Sequence, residues 1–170
     1  MEFFVPLEHG QDALRAIWRA VKEKGIEFSP PWGYQHDAKD GGDAPPRGIV
    51  DAMEFRQVKA GDGSWLSPHN VNTKTKSEAY LGIHISFNGD PALRNAIQEE
   101  YLPVIERALK PYLARPHWGK LATSDIYCYS GITALYGKVA LEGFQALCQK
   151  HDPAGKFRNE FVETCLFDTK

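Results

Sequence analysis

The octapeptide YLGIHISF, Tyr80–Phe87, constrains the fold more than any other stretch of the chain. Leu81, Ile83, Ile85 and Phe87 alternate with Gly82, His84 and Ser86, a period of two that a strand sorts onto opposite faces. One face is apolar and the other polar, as in an antiparallel sheet covered on one side only. The stretch IVDAMEFRQV, Ile49–Val58, sorts in the same way. Met53 and Phe55 point one way, and Ala52, Glu54, Arg56 and Val58 point the other. If the two strands belong to one sheet, Glu54, Arg56, His84 and Ser86 share a face while Met53, Phe55, Ile83 and Ile85 line the core.

The remaining elements fit around that sheet. EFFVP, Glu2–Pro6, is rich in strand formers and ends at a proline, which predicts a short strand. Leu14, Ile17, Trp18 and Val21 then recur at helical spacing, and Gly25 closes the pattern. Residues 29–48 are dense in proline and glycine and read as a loop, and a mobile one. Pro68–Glu78 is polar and also reads as loop. Asp90 and Pro91 suit an N-cap and first helical position. Leu93, Ile97, Tyr101, Ile105, Ala108, Leu109 and Tyr112 make one apolar helical face that Pro103 should kink or split. Residues 123–140 show no clear pattern, and a short helix follows around Leu141–Lys150. The expected class is α+β, an antiparallel sheet flanked by helices, in a single domain over residues 1–170 with a C-terminal tail.

Composition removes several functions. A net charge of −2 gives no electrostatic case for nucleic acid. No apolar run is long enough to span a bilayer, and no basic start precedes an apolar block, so neither a membrane segment nor a secretory signal is expected. Cys128, Cys148 and Cys165 lack C-x-x-C spacing and read as free thiols of a reducing, cytoplasmic setting; membrane association remains open. The histidines are scattered without ligand spacing, so no metal site is expected.

Three groups could carry chemistry. The face shared by Glu54, Arg56, His84 and Ser86 is what solvent alone produces on an antiparallel sheet, but the small Gly82 and Ser86 beside His84 leave room for something. RPHWGK, Arg115–Lys120, reads either as a helix end with Trp118 anchored in the core or as a binding motif. DPAGKFRNEF, Asp152–Phe161, reads as a turn with Phe157 and Phe161 buried four apart.

Together with MEFRQVKAGDGSWLSP, Met53–Pro68, and the opening EFFVPLEHGQDALRAI, these stretches occur in the order of one family. The chain resembles the C-terminal half of the FAD-linked aldonolactone and alditol oxidases, which include gulonolactone, arabinonolactone and xylitol oxidases. The resemblance covers nearly the whole chain and is weakest at 29–48 and 123–140. It implies a cap domain, an antiparallel sheet flanked by helices as in vanillyl-alcohol-oxidase-type flavoenzymes, closing over substrate and flavin.

The resemblance also assigns residues. Glu54 and Arg56 match the family's Glu-x-Arg pair, which contacts substrate, and His84 and Ser86 match polar positions on the neighbouring strand. Alditol oxidases typically have Thr at the second of these, so Ser86 keeps the hydroxyl and loses a methyl. Lys120 matches the lysine ending the H-W-G/A-K motif near substrate and flavin, where a cation suits the negative charge a flavin gains on reduction. His117 falls on the cofactor side and, with Trp118, shapes the pocket wall. The implied reaction is hydride transfer from a CH–OH donor to FAD, with O2 as acceptor giving H2O2. The donor is a sugar alcohol or an aldono-1,4-lactone, and HIS with WLSP leans towards the alditol branch.

The family's N-terminal FAD-binding domain has no counterpart in these residues. A flavin domain, in cis or in trans, is therefore the implied partner, and the cap is expected to be inactive without it. The alternative is a stand-alone cap acting as a polyol-binding or protein-interaction module. An exposed apolar face would favour the missing partner.

Overall fold

The computed structural model describes residues 1–28, 48–61, 63–70 and 77–167. Most of the loop expected over 29–48, and residues 71–76 of the second loop, lie outside the described residues. Four strands form one antiparallel sheet: β1 (Glu2–Pro6), β2 (Val50–Lys59), β3 (Ala79–Phe87) and the short β4 (Arg115–Pro116), in the order β2-β3-β1-β4. The class is therefore α+β, as the alternation predicts. The two-residue β4 is too short to carry a periodic signal, so sequence gave no sign of it.

The apolar face packs under α1 (Gly10–Lys24) and α3 (Leu102–Leu109). Phe3, Val5, Ile83 and Ile85 from the sheet join Ala13, Ile17 and Val21 from α1 and Ile105 and Leu109 from α3 in one buried cluster. α1 stops where expected: Gly25 takes φ 71°, a conformation that costs glycine nothing, and its N–H closes on the last turn. Phe55 departs from expectation. It is 51% exposed although it points to the core side, because β2 is the edge strand and overhangs the helical layer.

The helical face from Leu93 to Tyr112 is segmented. Asp90 caps its start by accepting from the Ala92 N–H at 2.9 Å. A 3-10 turn at Pro91–Leu93 leads to the single turn α2 (Arg94–Ala96) and a π-turn at Ile97–Tyr101 before α3. Pro103 stands in the first turn of α3, where its missing N–H is not needed. The break expected at Pro103 thus falls just ahead of it, in the π-turn.

A second cluster lies beyond β4. It is built by α4 (Tyr129–Tyr136), α5 (Lys138–His151) and α6 (Glu160–Leu166), and Ile132, Tyr136, Leu141, Cys165 and Leu166 are its buried residues. α4 lies in the stretch that carried no clear pattern. The turn at Asp152 forms, its carboxylate accepting from the N–H groups of Lys156 and Phe157. The expectation that Phe157 and Phe161 are buried fails: they are 80% and 42% exposed. Asn159 starts α6 between them, so the two rings share no continuous helical face. Among the described residues, no helix is long and apolar enough to cross a membrane.

Candidate active site

The face of the sheet turned away from the main core carries the polar groups, and strand register sets their spacing. Glu54 on β2 stands opposite His84 on β3, and His84 stands opposite Glu2 on β1. The backbone of His117 continues the row, its N–H donating to the Glu2 carbonyl at 3.0 Å. A single transverse row therefore runs Glu54, His84, Glu2, His117. Ser86 lies opposite Ala52 at one side of it. On the other side, Arg56 stands opposite Gly82, Gly82 opposite Phe4, and Phe4 opposite Arg115. The four residues predicted to share a face do so.

The row converges on a residue the sequence did not single out. Glu2 is 1% exposed, yet its carboxylate receives the Arg56 guanidinium and lies 3.4 Å from His84 Nδ1. Burial opposes charge on Glu2, but the hydrogen bonds from Arg56 and His84, with the attraction of Arg56 and His117, outweigh it and hold the carboxyl below the ordinary glutamate range. His84 Nε2 is 3.2 Å from the Ser86 hydroxyl. One connected network thus runs from Arg56 through Glu2 and His84 to Ser86.

Gly82 explains how Arg56 spans a strand to reach Glu2. A Cβ at Gly82 would stand 3.0 Å from Arg56 Cγ and 3.3 Å from a ring carbon of Phe4. The arginine stem lies flat across β3 where the side chain is absent. The room noticed beside His84 in the sequence is room for Arg56. Glu54 stays exposed at the end of the row and makes no ion pair among the described residues.

The RPHWGK stretch divides between both of its readings. Arg115 is buried: its guanidinium donates to the Asn70 carbonyl at 3.1 Å and the Leu135 carbonyl at 3.3 Å, and lies 4.9 Å from the Tyr136 ring centre. Tyr80, on the same sheet face, donates to the same Asn70 carbonyl at 2.7 Å. Trp118 stacks on Tyr127 and Tyr136 and donates its indole N–H to the Leu66 carbonyl at 2.7 Å. These residues are anchors. His117 and Lys120 project from the anchored turn, which closes through Lys120 N–H to the His117 carbonyl at 3.0 Å. The Tyr127 hydroxyl, its pKa pushed up to about 12 mainly by burial, faces the His117 and Lys120 carbonyls at 2.7 and 3.1 Å. Lys120 is exposed and forms no ion pair among the described residues. Phe4 stacks on His117 and tilts against His69, which puts an aromatic floor beside the polar row.

A model of the D-arabinono-1,4-lactone oxidase family matches residues 1–165. The chain belongs to that family. An alditol oxidase from Streptomyces sp. (strain IKD472 / FERM P-14339) is 30% identical over 146 residues, covering 82% of this chain. This member of the lactone oxidase family spans 31% of that relative's length.

Sequence reasoning singled out Glu54, Arg56, His84, Ser86, His117 and Lys120; the structure sets Glu2, Phe4 and His69 beside them. A glutamate opening the otherwise apolar strand EFFVP was the available signal. Its partners are set by register with β3, which local pattern does not reveal.

Proposed function

We propose that this chain is the substrate-domain part of an FAD-dependent oxidase acting on the CH–OH group of a sugar-derived alditol or aldono-1,4-lactone. A flavin-binding domain, in cis or in trans, is its partner, and O2 is the electron acceptor, reduced to H2O2. The observation that carries this reading is the row of Glu54, His84 and Glu2 with Arg56 beside it, on an open sheet face of a lactone oxidase family member.

The chemistry of the row suits a polyhydroxylated donor. Glu54 accepts hydrogen bonds from substrate hydroxyls, and Arg56, fixed by Glu2, donates to their oxygens. Oxidising an alcohol to a carbonyl removes a hydride from carbon and a proton from oxygen, and FAD, when bound, supplies the two-electron acceptor. The proton needs a receiver at the hydroxyl, and His84 Nε2, 3.2 Å from the Ser86 hydroxyl, is the ring nitrogen on this face that can take it. Lys120 fits the cofactor side because it is an exposed cation, without an ion pair among the described residues, on a turn anchored by Trp118 and Tyr127. Lys120 and His117 are accordingly the residues assigned to FAD.

Titrating the purified chain calorimetrically with xylitol and with D-arabinono-1,4-lactone, in the presence and absence of FAD, tests the reading. Binding of either ligand that drops at least about tenfold in Glu54→Gln, a change of ~1.4 kcal/mol, supports it. A folded chain that, mixed with or joined to a flavin-binding domain of the family, neither binds these ligands nor forms H2O2 with them overturns it, and undiminished affinity without FAD or that domain favours the stand-alone binding module instead. The choice between the two ligands separates alditol from lactone specificity.

A further inference from the structure

The carboxylate of Glu2 is the most deeply buried charge on the candidate face, and no role in substrate or cofactor contact falls to it. It sits on β1, beside β3 and one strand beyond β2, and touches one side chain from each, His84 and Arg56. We propose that Glu2 is a positioning residue, fixing Arg56 across β3 and holding neutral His84 as the Nδ1–H tautomer so that Nε2 faces Ser86 as an acceptor.

The argument is one of donors and acceptors. An ionised carboxylate only accepts hydrogen bonds, so the ring nitrogen facing it must carry the hydrogen. His84 Nδ1 faces Glu2 at 3.4 Å, which assigns that hydrogen to Nδ1. The opposite nitrogen of a neutral imidazole then has a lone pair, and the Ser86 hydroxyl at 3.2 Å donates to it. A substrate hydroxyl entering at Ser86 would meet the same lone pair. The second carboxylate oxygen is taken by Arg56, whose stem is guided over Gly82. One buried anion thereby sets both the direction of a guanidinium and the identity of the imidazole's free nitrogen. The substrate consequence rests on the cap reading above; the tautomer assignment rests on the network alone.

Nitrogen-15 NMR of the full chain, with ring resonances assigned by a His84 variant, separates the two parts. Above the pH of imidazole titration, the wild-type His84 ring should show the Nδ1–H pattern. In Glu2→Gln, which keeps the side chain's shape, the amide can donate to Nδ1 and the pattern should invert to Nε2–H. Xylitol or lactone affinity should fall about tenfold in the same variant, while Glu2→Asp, which keeps the charge, should retain the Nδ1–H pattern.

A wild-type ring in the Nε2–H form overturns the proposal, and this needs no variant to fold. An unchanged pattern in a folded Glu2→Gln protein overturns it as well. A wild-type Nδ1–H ring in a chain that lacks polyol and lactone affinity even with a flavin-binding domain present upholds the positioning by Glu2 and removes the substrate reading instead.

Discussion

At the scale of single residues, the candidate site depends on one absent side chain. Gly82 contributes nothing chemical, yet a Cβ there would press on the Arg56 stem, with Cγ 3.0 Å away. Gly82→Ala should shift the Arg56 stem and loosen its hold on Glu2 without undoing the sheet, because the stem is flexible and alanine suits a strand interior better than glycine by about 0.5–1 kcal/mol. Thermal stability near neutral pH should therefore change by less than about 1 kcal/mol while polyol or lactone affinity falls about tenfold. Melting curves and titrations of the same preparation separate the two effects, and a large loss of stability with intact affinity would refute the account. Acid should expose the same network. The folded-state pKa of Glu2 is depressed, so its stabilising contribution is complete above the unfolded glutamate value and disappears as pH falls through the lower folded one. As pH falls below the ordinary glutamate range, wild type should lose more stability than Glu2→Gln. That comparison isolates Glu2 from Glu8, whose carboxyl the Ser77 hydroxyl also holds low.

At the scale of elements, period-two alternation carried most of what the sequence disclosed. β3 and β2 were legible, with the correct residues on each face, because one side of each strand must be apolar. α1 was legible from its spacing and its glycine stop. Glu2 was not, because a strand of five residues shows its partners only through register, and register is a long-range property. α4 was hidden for a related reason: its residues pack against α5, α6 and the Trp118 turn rather than along one amphipathic stripe. The edge position of β2 was equally hidden, and it distinguishes residues that alternation treats alike. Ile85, buried in the main cluster, should cost about 2–5 kcal/mol on replacement by alanine. Phe55 points to the same side but is half-exposed at the edge, so Phe55→Ala should cost clearly less than the ~3–5 kcal/mol of a buried aromatic. Denaturant unfolding of the two variants checks the assignment; equal losses would place β2 inside the sheet rather than at its edge.

At the scale of the whole molecule, two hydrophobic clusters meet at the RPHWGK stretch. Glu2 to Pro6 joins the main cluster through Phe3 and Val5, and β4 pairs with that strand through Arg115 and Pro116. Two residues later Trp118 enters the second cluster, between Tyr127 and Tyr136 with Phe161 at its edge. The turn carrying His117 and Lys120 therefore derives its position from both clusters at once. That arrangement makes a specific demand of Trp118→Ala. It removes the stacked indole and leaves the Leu66 carbonyl without its donor, which should cost on the order of 2–4 kcal/mol, less than full burial would imply because the ring is partly exposed. The loss should be uneven across the chain. Backbone hydrogens of α4–α6 and of residues 117–120 should exchange faster, while those of β1, β3 and α3 stay protected by the main cluster. Hydrogen exchange followed by mass spectrometry reads this out directly. If protection falls equally everywhere, the two clusters unfold as one cooperative unit, and Lys120 is held by the whole fold rather than by the joint between its halves.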